Sequence, residues 1–227
     1  MIKNVAIVHY NTPELTAAGI RSLRKHTPDV RITVFDNSDR RPFFRNEGVR
    51  VLDNTQGQAI DFDALLANYP DKIPTACNWG SEKHIASVEE LFNLFPEGFL
   101  LMDSDVLVKR DVSDFFDPSV AWVGTIEREP KFWFQAPRCF PFLLWINVPM
   151  CRAHGIRFFH EGYVYKMSHQ EGPPYYDTGG SFLKDCNEAG LPYKEVNIFD
   201  YIEHLGGASC YPTEWVKWLN EHKSLYE

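Results

Sequence analysis

Phe99-Leu100-Leu101-Met102-Asp103-Ser104-Asp105-Val106 is an apolar run that ends in two carboxylates one residue apart. A short uncharged run of this kind is a buried strand. Side chains alternate along a strand, so the two aspartates point the same way, and their like charges repel unless something positive lies between them. Carboxylate oxygens with no Cys or His beside them favour a hard divalent ion, Mg²⁺ or Mn²⁺, and such ions commonly neutralise phosphate oxygens. Asp and Ser are also ordinary turn residues, and a plain polar turn is the competing reading.

Working outward, the strand is preceded by a helix whose Ile85, Val88, Leu91, Phe92 and Phe95 form one stripe, capped by Ser81 and stopped by Pro96 and Gly98. Nearer the start, Asn4 to His9 reads as a buried strand. Thr12 as N-cap and Pro13 in the first turn open a helix that Thr27 and Pro28 stop, and Val30 to Phe35 is a second strand. Val49 to Leu52 is a short third strand, and Phe62, Leu65 and Leu66 mark a brief helix. Strand, helix, strand is the pattern of a right-handed parallel crossover. Each strand ends in polar residues, which gathers Asn11, Asp36, Asp103 and Asp105 on the carboxyl edge of one sheet, where open α/β folds bind ligands. The expected class is α/β, one domain with a mostly parallel central sheet flanked by helices.

Past Asp111 the pattern loosens. Val120 to Ile126, Phe142 to Val148 and Val196 to Phe199 read as strands, Ser181 to Ala189 and Pro212 to His222 as helices, and His154 to Asp177 as a polar, aromatic loop.

A chain of 227 residues can bury a sizeable core in one domain. Its net charge of −8, with no long run of Lys or Arg, argues against nucleic acid and against strong attraction to anionic lipid. The N-terminal apolar run is too short for a signal peptide or a membrane span, so the cytosol is the expected compartment. Cys77, Cys139, Cys151, Cys186 and Cys210 are widely spaced and contain no CxxC pair, which predicts reduced thiols rather than a disulfide framework or a zinc site. Aromatic residues make up 15% of the chain, enough both to fill a core and to offer rings to sugars.

Taken together, these features resemble the GT-A fold glycosyltransferases, in particular the family-2-like, DxD-containing enzymes. The stretch VAIVHYNTPEL from Val5 to Leu15 is similar to the first strand and helix of their nucleotide pocket, and VFDNS from Val34 to Ser38 to their second-strand ending. NWGSEKH from Asn78 to His84 resembles a Gly-containing helix start near the nucleotide, and Asp103-Ser104-Asp105 matches the DxD signature. The resemblance implies a Rossmann-like GT-A domain over residues 1–227, with a nucleotide-binding half to 110 and an acceptor-binding half from 111. It implies transfer of a sugar, hexosyl by type, from a UDP- or GDP-type donor to a saccharide or lipid-linked saccharide. It places Tyr10, Asn11, Asp36, Lys83, His84, Asp103 and Ser104 at the nucleotide, with Asp36 on base or ribose. Asp103, Asp105 and a late histidine, His204, would hold Mn²⁺ or Mg²⁺.

Asp177, at the head of a predicted helix, is the candidate base for an inverting transfer, and equally a plain N-cap. Asp36 suits an Asx turn as well, and Lys83 a solvated surface. Trp133, Tyr163 and Tyr175 are candidate sugar-stacking rings. Trp215, Trp218 and Leu219 suit either core packing or peripheral attachment at the inner membrane face. The family also contains retaining enzymes, faintly echoed by Trp145 to Val148 and by His204. Two other readings are a catalytically silent nucleotide-sugar-binding module and a haloacid-dehalogenase-type phosphatase, in which the first Asp would be the nucleophile.

Overall fold

The computed structural model describes residues 2–44, 47–67, 76–129, 137–158, 177–208 and 214–227. Strand β1 (Asn4–His9) is followed by helix α1 (Pro13–His26), β2 (Arg31–Asp36), β3 (Arg50–Asp53), α2 (Phe62–Ala67), α3 (Ala76–Leu94) and β4 (Phe99–Asp103). Then come β5 (Val106–Val108), β6 (Trp122–Gly124), β7 (Ile126–Glu127), β8 (Arg138–Cys139), β9 (Leu143–Ile146) and α4 (Val148–Ala153). The last elements are α5 (Gly180–Glu188), β10 (Tyr193–Glu195), β11 (Ile202–His204) and α6 (Trp215–Glu221).

Seven strands form the central sheet in the order β10-β6-β9-β4-β1-β2-β3. β4, β1, β2 and β3 pair in parallel, while β9 runs antiparallel between β4 and β6. The sheet is therefore mixed but mostly parallel, with helices on both faces. Alternation along the strands separates two cores. Ala6, Val8, Phe99 and Leu101 point to the side covered by Ile85, Val88 and Phe92 of α3 and Phe182 of α5. Val5, Ile7, Leu100 and Met102 point to the side covered by Ala17, Ile20 and Leu23 of α1. At about 25 cal/mol per Å² of apolar surface, these two layers supply most of the drive to fold.

α1 keeps Pro13 in its first turn and basic Arg24 and Lys25 in its last, but Thr12 makes no side-chain cap bond. Midway, Gly19 lets the helix lie against β5, since a Cβ there would stand 2.7 Å from the Val106 carbonyl oxygen.

Three expectations are corrected. Ser81 does not cap α3, which already runs from Ala76, so Ser81, Lys83 and His84 lie inside the helix. Their backbone N–H groups belong to the helix ladder, and any anion there must be met by side chains rather than by a helix terminus. The strand expected at Val196 to Phe199 lies earlier, at β10, and Ile198–Asp200 is a 3₁₀ turn. The single strand expected over Val120 to Ile126 breaks at Thr125, whose carbonyl accepts from Phe140 N–H at 2.9 Å.

Cys139, Cys151 and Cys186 are free and buried, and Cys77 and Cys210, also expected as reduced thiols, lie outside the described side chains. Leu219, Trp215 and Trp218 of α6 pack on Leu15, Ala18 and Leu107, the core use of those rings. Among the described residues, no helix is long and apolar enough to cross a membrane.

Candidate metal and nucleotide site

Strand register builds the site. His9 stands opposite Asp36, Val8 opposite Asp103, and Asp36 opposite Asp53, so β1, β2, β3 and β4 all end along one line. After Asp103 the chain turns before β5, and it is this turn, rather than the strand pleat, that brings Asp105 beside Asp103. β11 pairs antiparallel with β5, His204 opposite Val106, and this delivers a histidine from a hundred residues away to the same corner. The two strands are further tied by Leu205 N–H donating to the Asp105 carbonyl at 3.1 Å.

The side chains converge. One ligand atom each from Asp103, Asp105 and His204 lie within 4.8 Å of one another. His204 Nε2 is 3.2 Å from Asp105 Oδ1, while the other Asp105 oxygen accepts from Ala208 N–H at 3.4 Å. From α3, His84 Nε2 approaches Asp103 Oδ1 to 3.1 Å. That approach lacks hydrogen-bond alignment, and both atoms count among six buried side-chain polar atoms with no hydrogen-bond partner among the described residues. Burial alone would push the Asp103 carboxyl up, but His84, His204 and Arg138 nearby outweigh it and hold it below the usual carboxylate range.

A buried, ionised oxygen without a hydrogen bond is costly unless a cation supplies the missing partner. Two carboxylates and one imidazole suit a hard or borderline divalent ion such as Mg²⁺ or Mn²⁺. The donor set therefore fits the metal that the DxD pattern implied.

The nucleotide-side residues are arranged differently. Asp36 is 2% exposed, and its two oxygens accept from the N–H groups of Ser38 and Phe43 at 3.0 and 2.7 Å. These two bonds make its carboxylate the clasp of the 37–43 loop. That loop presents Asp39, a residue the sequence did not single out as a ligand-binding group. Asp39 accepts from Tyr10 Oη at 3.0 Å and from Asn11 Nδ2 at 2.6 Å. These bonds, the Asn11 one foremost, hold its carboxyl below the ordinary range. Burial and the Asp39 carboxylate raise the Tyr10 phenol.

Asn11 adopts a left-handed φ of 58°, and its Oδ1 accepts from the N–H groups of Arg40 and Arg41. Few non-glycine residues accept that conformation as readily as Asn. Lys83 lies 6.0 Å from the Tyr10 ring and 5.1 Å from the Phe62 ring, between two aromatic faces. Ser104 Oγ accepts from Thr12 Oγ1 at 3.4 Å.

On the other flank, Asp177 is tied down on both oxygens. Oδ1 accepts from Ser81 Oγ at 2.6 Å and from Thr178 N–H at 2.7 Å, and Oδ2 pairs with Arg138 Nη1. Arg138, 8% exposed on β8, also donates through Nε to Glu127 at 2.7 Å. Gly179 makes the approach possible: its φ is +84°, and a Cβ there would run into the Cys139 carbonyl. Ser81 and His84, three apart on α3, share one helix face, so the Asp177 and Asp103 carboxylates flank the same ridge.

Nothing in the sequence pointed to Arg138 or Ser81 as partners of Asp177, or to Glu127 as the second carboxylate on Arg138. Arg138 is a lone cation in an aromatic, Pro-containing stretch, and only the β7–β8 pairing reveals its place. Trp133, Tyr163 and Tyr175 lie outside the described residues.

No protein-family model matches the chain, and no curated protein matches it by sequence. Among solved structures, it is similar to a galactosyltransferase, LgtC, crystallised with donor and acceptor sugar analogues: 13% identity, TM-score 0.51, covering 86% of this chain and 73% of that one. An active-site mutant of LgtC gives 15% identity and a TM-score of 0.52 over the same shares. Identity this low speaks to architecture alone. The chain has the GT-A glycosyltransferase fold.

Proposed function

We propose that this protein is a divalent-metal-dependent glycosyltransferase that moves a sugar, hexosyl by type, from a UDP- or GDP-type donor to a saccharide or lipid-linked saccharide. One observation carries the reading: Asp103, Asp105 and His204 meet at the carboxyl edge of a sheet of this fold, with a buried Asp103 oxygen left without a hydrogen bond. When bound there, Mn²⁺ or Mg²⁺ supplies charge neutralisation for the departing diphosphate.

The chain's own groups supply the rest. Tyr10, Asn11 and the loop held by Asp36 form the wall for base and ribose, and Ser104 lies in the turn below them. Lys83 and His84 meet the diphosphate from within α3 through their side chains. The acceptor-binding half begins past residue 110, and any attachment at the inner membrane face is peripheral.

For an inverting course, Asp177 takes the proton of the acceptor hydroxyl. Ser81, Thr178 N–H and Arg138 already occupy three of its roughly four lone-pair directions, so one remains for that proton. The same saturation favours a second reading, a nucleotide-sugar-binding module without catalysis. The phosphatase reading gains nothing: such enzymes carry the nucleophilic aspartate at the end of their first strand, whereas Asp103 ends β4, after three earlier strands.

The deciding assay incubates the protein with UDP- and GDP-sugars, Mn²⁺ and an acceptor panel. Release of nucleoside diphosphate with a new glycoside, lost in Asp105→Ala, is the expected result, and the anomer of the product reports the course. Nucleotide binding without turnover favours the silent module, and release of inorganic phosphate from simple esters favours the phosphatase.

A further inference from the structure

His204 reaches the site on β11, but the strand pairing fixes only its backbone. Rotation of an imidazole about its last torsion is broad, so the ring plane that aims Nε2 needs a restraint from elsewhere. Gly206, two residues on, leaves one side open, since even a Cβ there would be 3.7 Å from His204 Cε1. Beside the approach of Nε2 to Asp105, one such restraint comes from Phe142. Its ring stacks on the imidazole with centroids 3.7 Å apart and planes 24° from parallel. The same residue's carbonyl accepts from Asp103 N–H at 3.2 Å.

One residue thus touches two of the three converging groups, His204 through its ring and Asp103 through its backbone carbonyl. The stack continues outward. Phe140 lies on Phe142 at 4.9 Å and 23°, and the Arg138 guanidinium stands 5.7 Å from the Phe140 centroid. Arg138 in turn holds Asp177. An unbroken line of packed groups therefore runs from His204 to the carboxylate on the opposite flank.

We propose that Phe142 is the positioning residue of the metal site, orienting His204 and, through Phe140 and Arg138, setting its spacing from Asp177; this rests on the metal-binding reading above. Groups just outside a coordination sphere set ligand geometry, and losing one typically weakens metal binding about 10- to 100-fold.

The test is a titration of Mn²⁺, followed by the electron paramagnetic resonance signal of the free ion, on wild type, Phe142→Leu, Phe142→Tyr and Phe116→Leu. Phe116 belongs to the same apolar layer, packed on Trp145 at 5.2 Å, and so controls for a general loss of packing. Phe142→Leu is expected to bind Mn²⁺ about 10- to 100-fold more weakly, with Phe142→Tyr restoring affinity and Phe116→Leu keeping it despite a lowered melting temperature. If Phe142→Leu does not fold, Phe142→Met, closer in volume, takes its place. Wild-type affinity in Phe142→Leu, or an equal loss in Phe116→Leu, overturns the proposal while leaving the metal reading standing. A wild-type protein that binds no Mn²⁺ overturns the metal reading and this inference with it.

Discussion

The carboxylates at the ends of β2 and β4 stand on the same sheet edge with only β1 between them, and live in opposite circumstances. Asp36 gives both oxygens to backbone N–H groups of its own loop. Asp103 keeps a buried oxygen with no hydrogen bond, facing a histidine nitrogen in the same state. A carboxylate with each oxygen held by a backbone N–H group shapes the fold, whereas one that converges with a second carboxylate and an imidazole offers its free lone pairs to a cation. Position on the edge does not decide between these fates. The local chain does: after Asp36 it curls back and offers N–H groups, and after Asp103 it turns so that a second carboxylate arrives instead.

The contrast breaks most visibly in activity. Asp105→Ala is expected to lower sugar transfer at least about 100-fold, the scale of several kcal/mol of lost charge stabilisation at the diphosphate. Thermal unfolding of the metal-free variant should fall less than in Asp36→Ala, since only the Ala208 N–H, at 3.4 Å, loses its acceptor. Asp36→Ala should behave in the opposite way. Leaving two buried N–H groups unpaired costs about 3 kcal/mol of unfolding free energy, measurable by denaturant titration. Mn²⁺ affinity should survive in the folded fraction.

Gly179→Ala comes next, at about 2 kcal/mol, because a side chain must enter both the left-handed region and the space of the Cys139 carbonyl. Displaced Asp177 and Arg138 should lower turnover more than donor binding, a split that steady-state kinetics reads.

The smallest effect belongs to Asp39, which is more than half exposed, so its bonds to Tyr10 and Asn11 contribute under about 1 kcal/mol. Because folding lowers its pKa, that stabilisation is present above the unfolded carboxyl's value near 3.9 and is lost as pH falls through the lower folded value. Asp39→Asn should therefore sit slightly below wild type from about pH 5 to 8 and converge with it in acid, by melting temperature across that range.

Local signals carried far in the sequence. β1 was legible to the residue, α1 nearly so from Pro13 and Thr27, and β2 and β3 within one residue. Such elements declare themselves through continuous apolar runs and stop signals. β8 and β11 did not, because two- and three-residue strands exist only through their partners. Ser81 misled for a similar reason: Gly80 and Ser81 look like a helix start, but the helix runs through both.

In the site, Asp103 and Asp105 stood out because they are neighbours in the chain. His204 was reached only through the family resemblance. Arg138, Glu127 and Phe142 were silent as site residues, since each acquires its place through contacts spanning from about ten to about sixty residues, which no window on the sequence contains.

The most direct test of the account is a calorimetric titration of Mn²⁺ into the protein, alone and with UDP or GDP, set beside the same titrations of Asp105→Ala and His204→Ala. The account predicts one ion per chain, bound more tightly when the nucleoside diphosphate is present, and no comparable binding in either variant. Absence of binding in the wild type, or equal affinity in all three proteins, would contradict it.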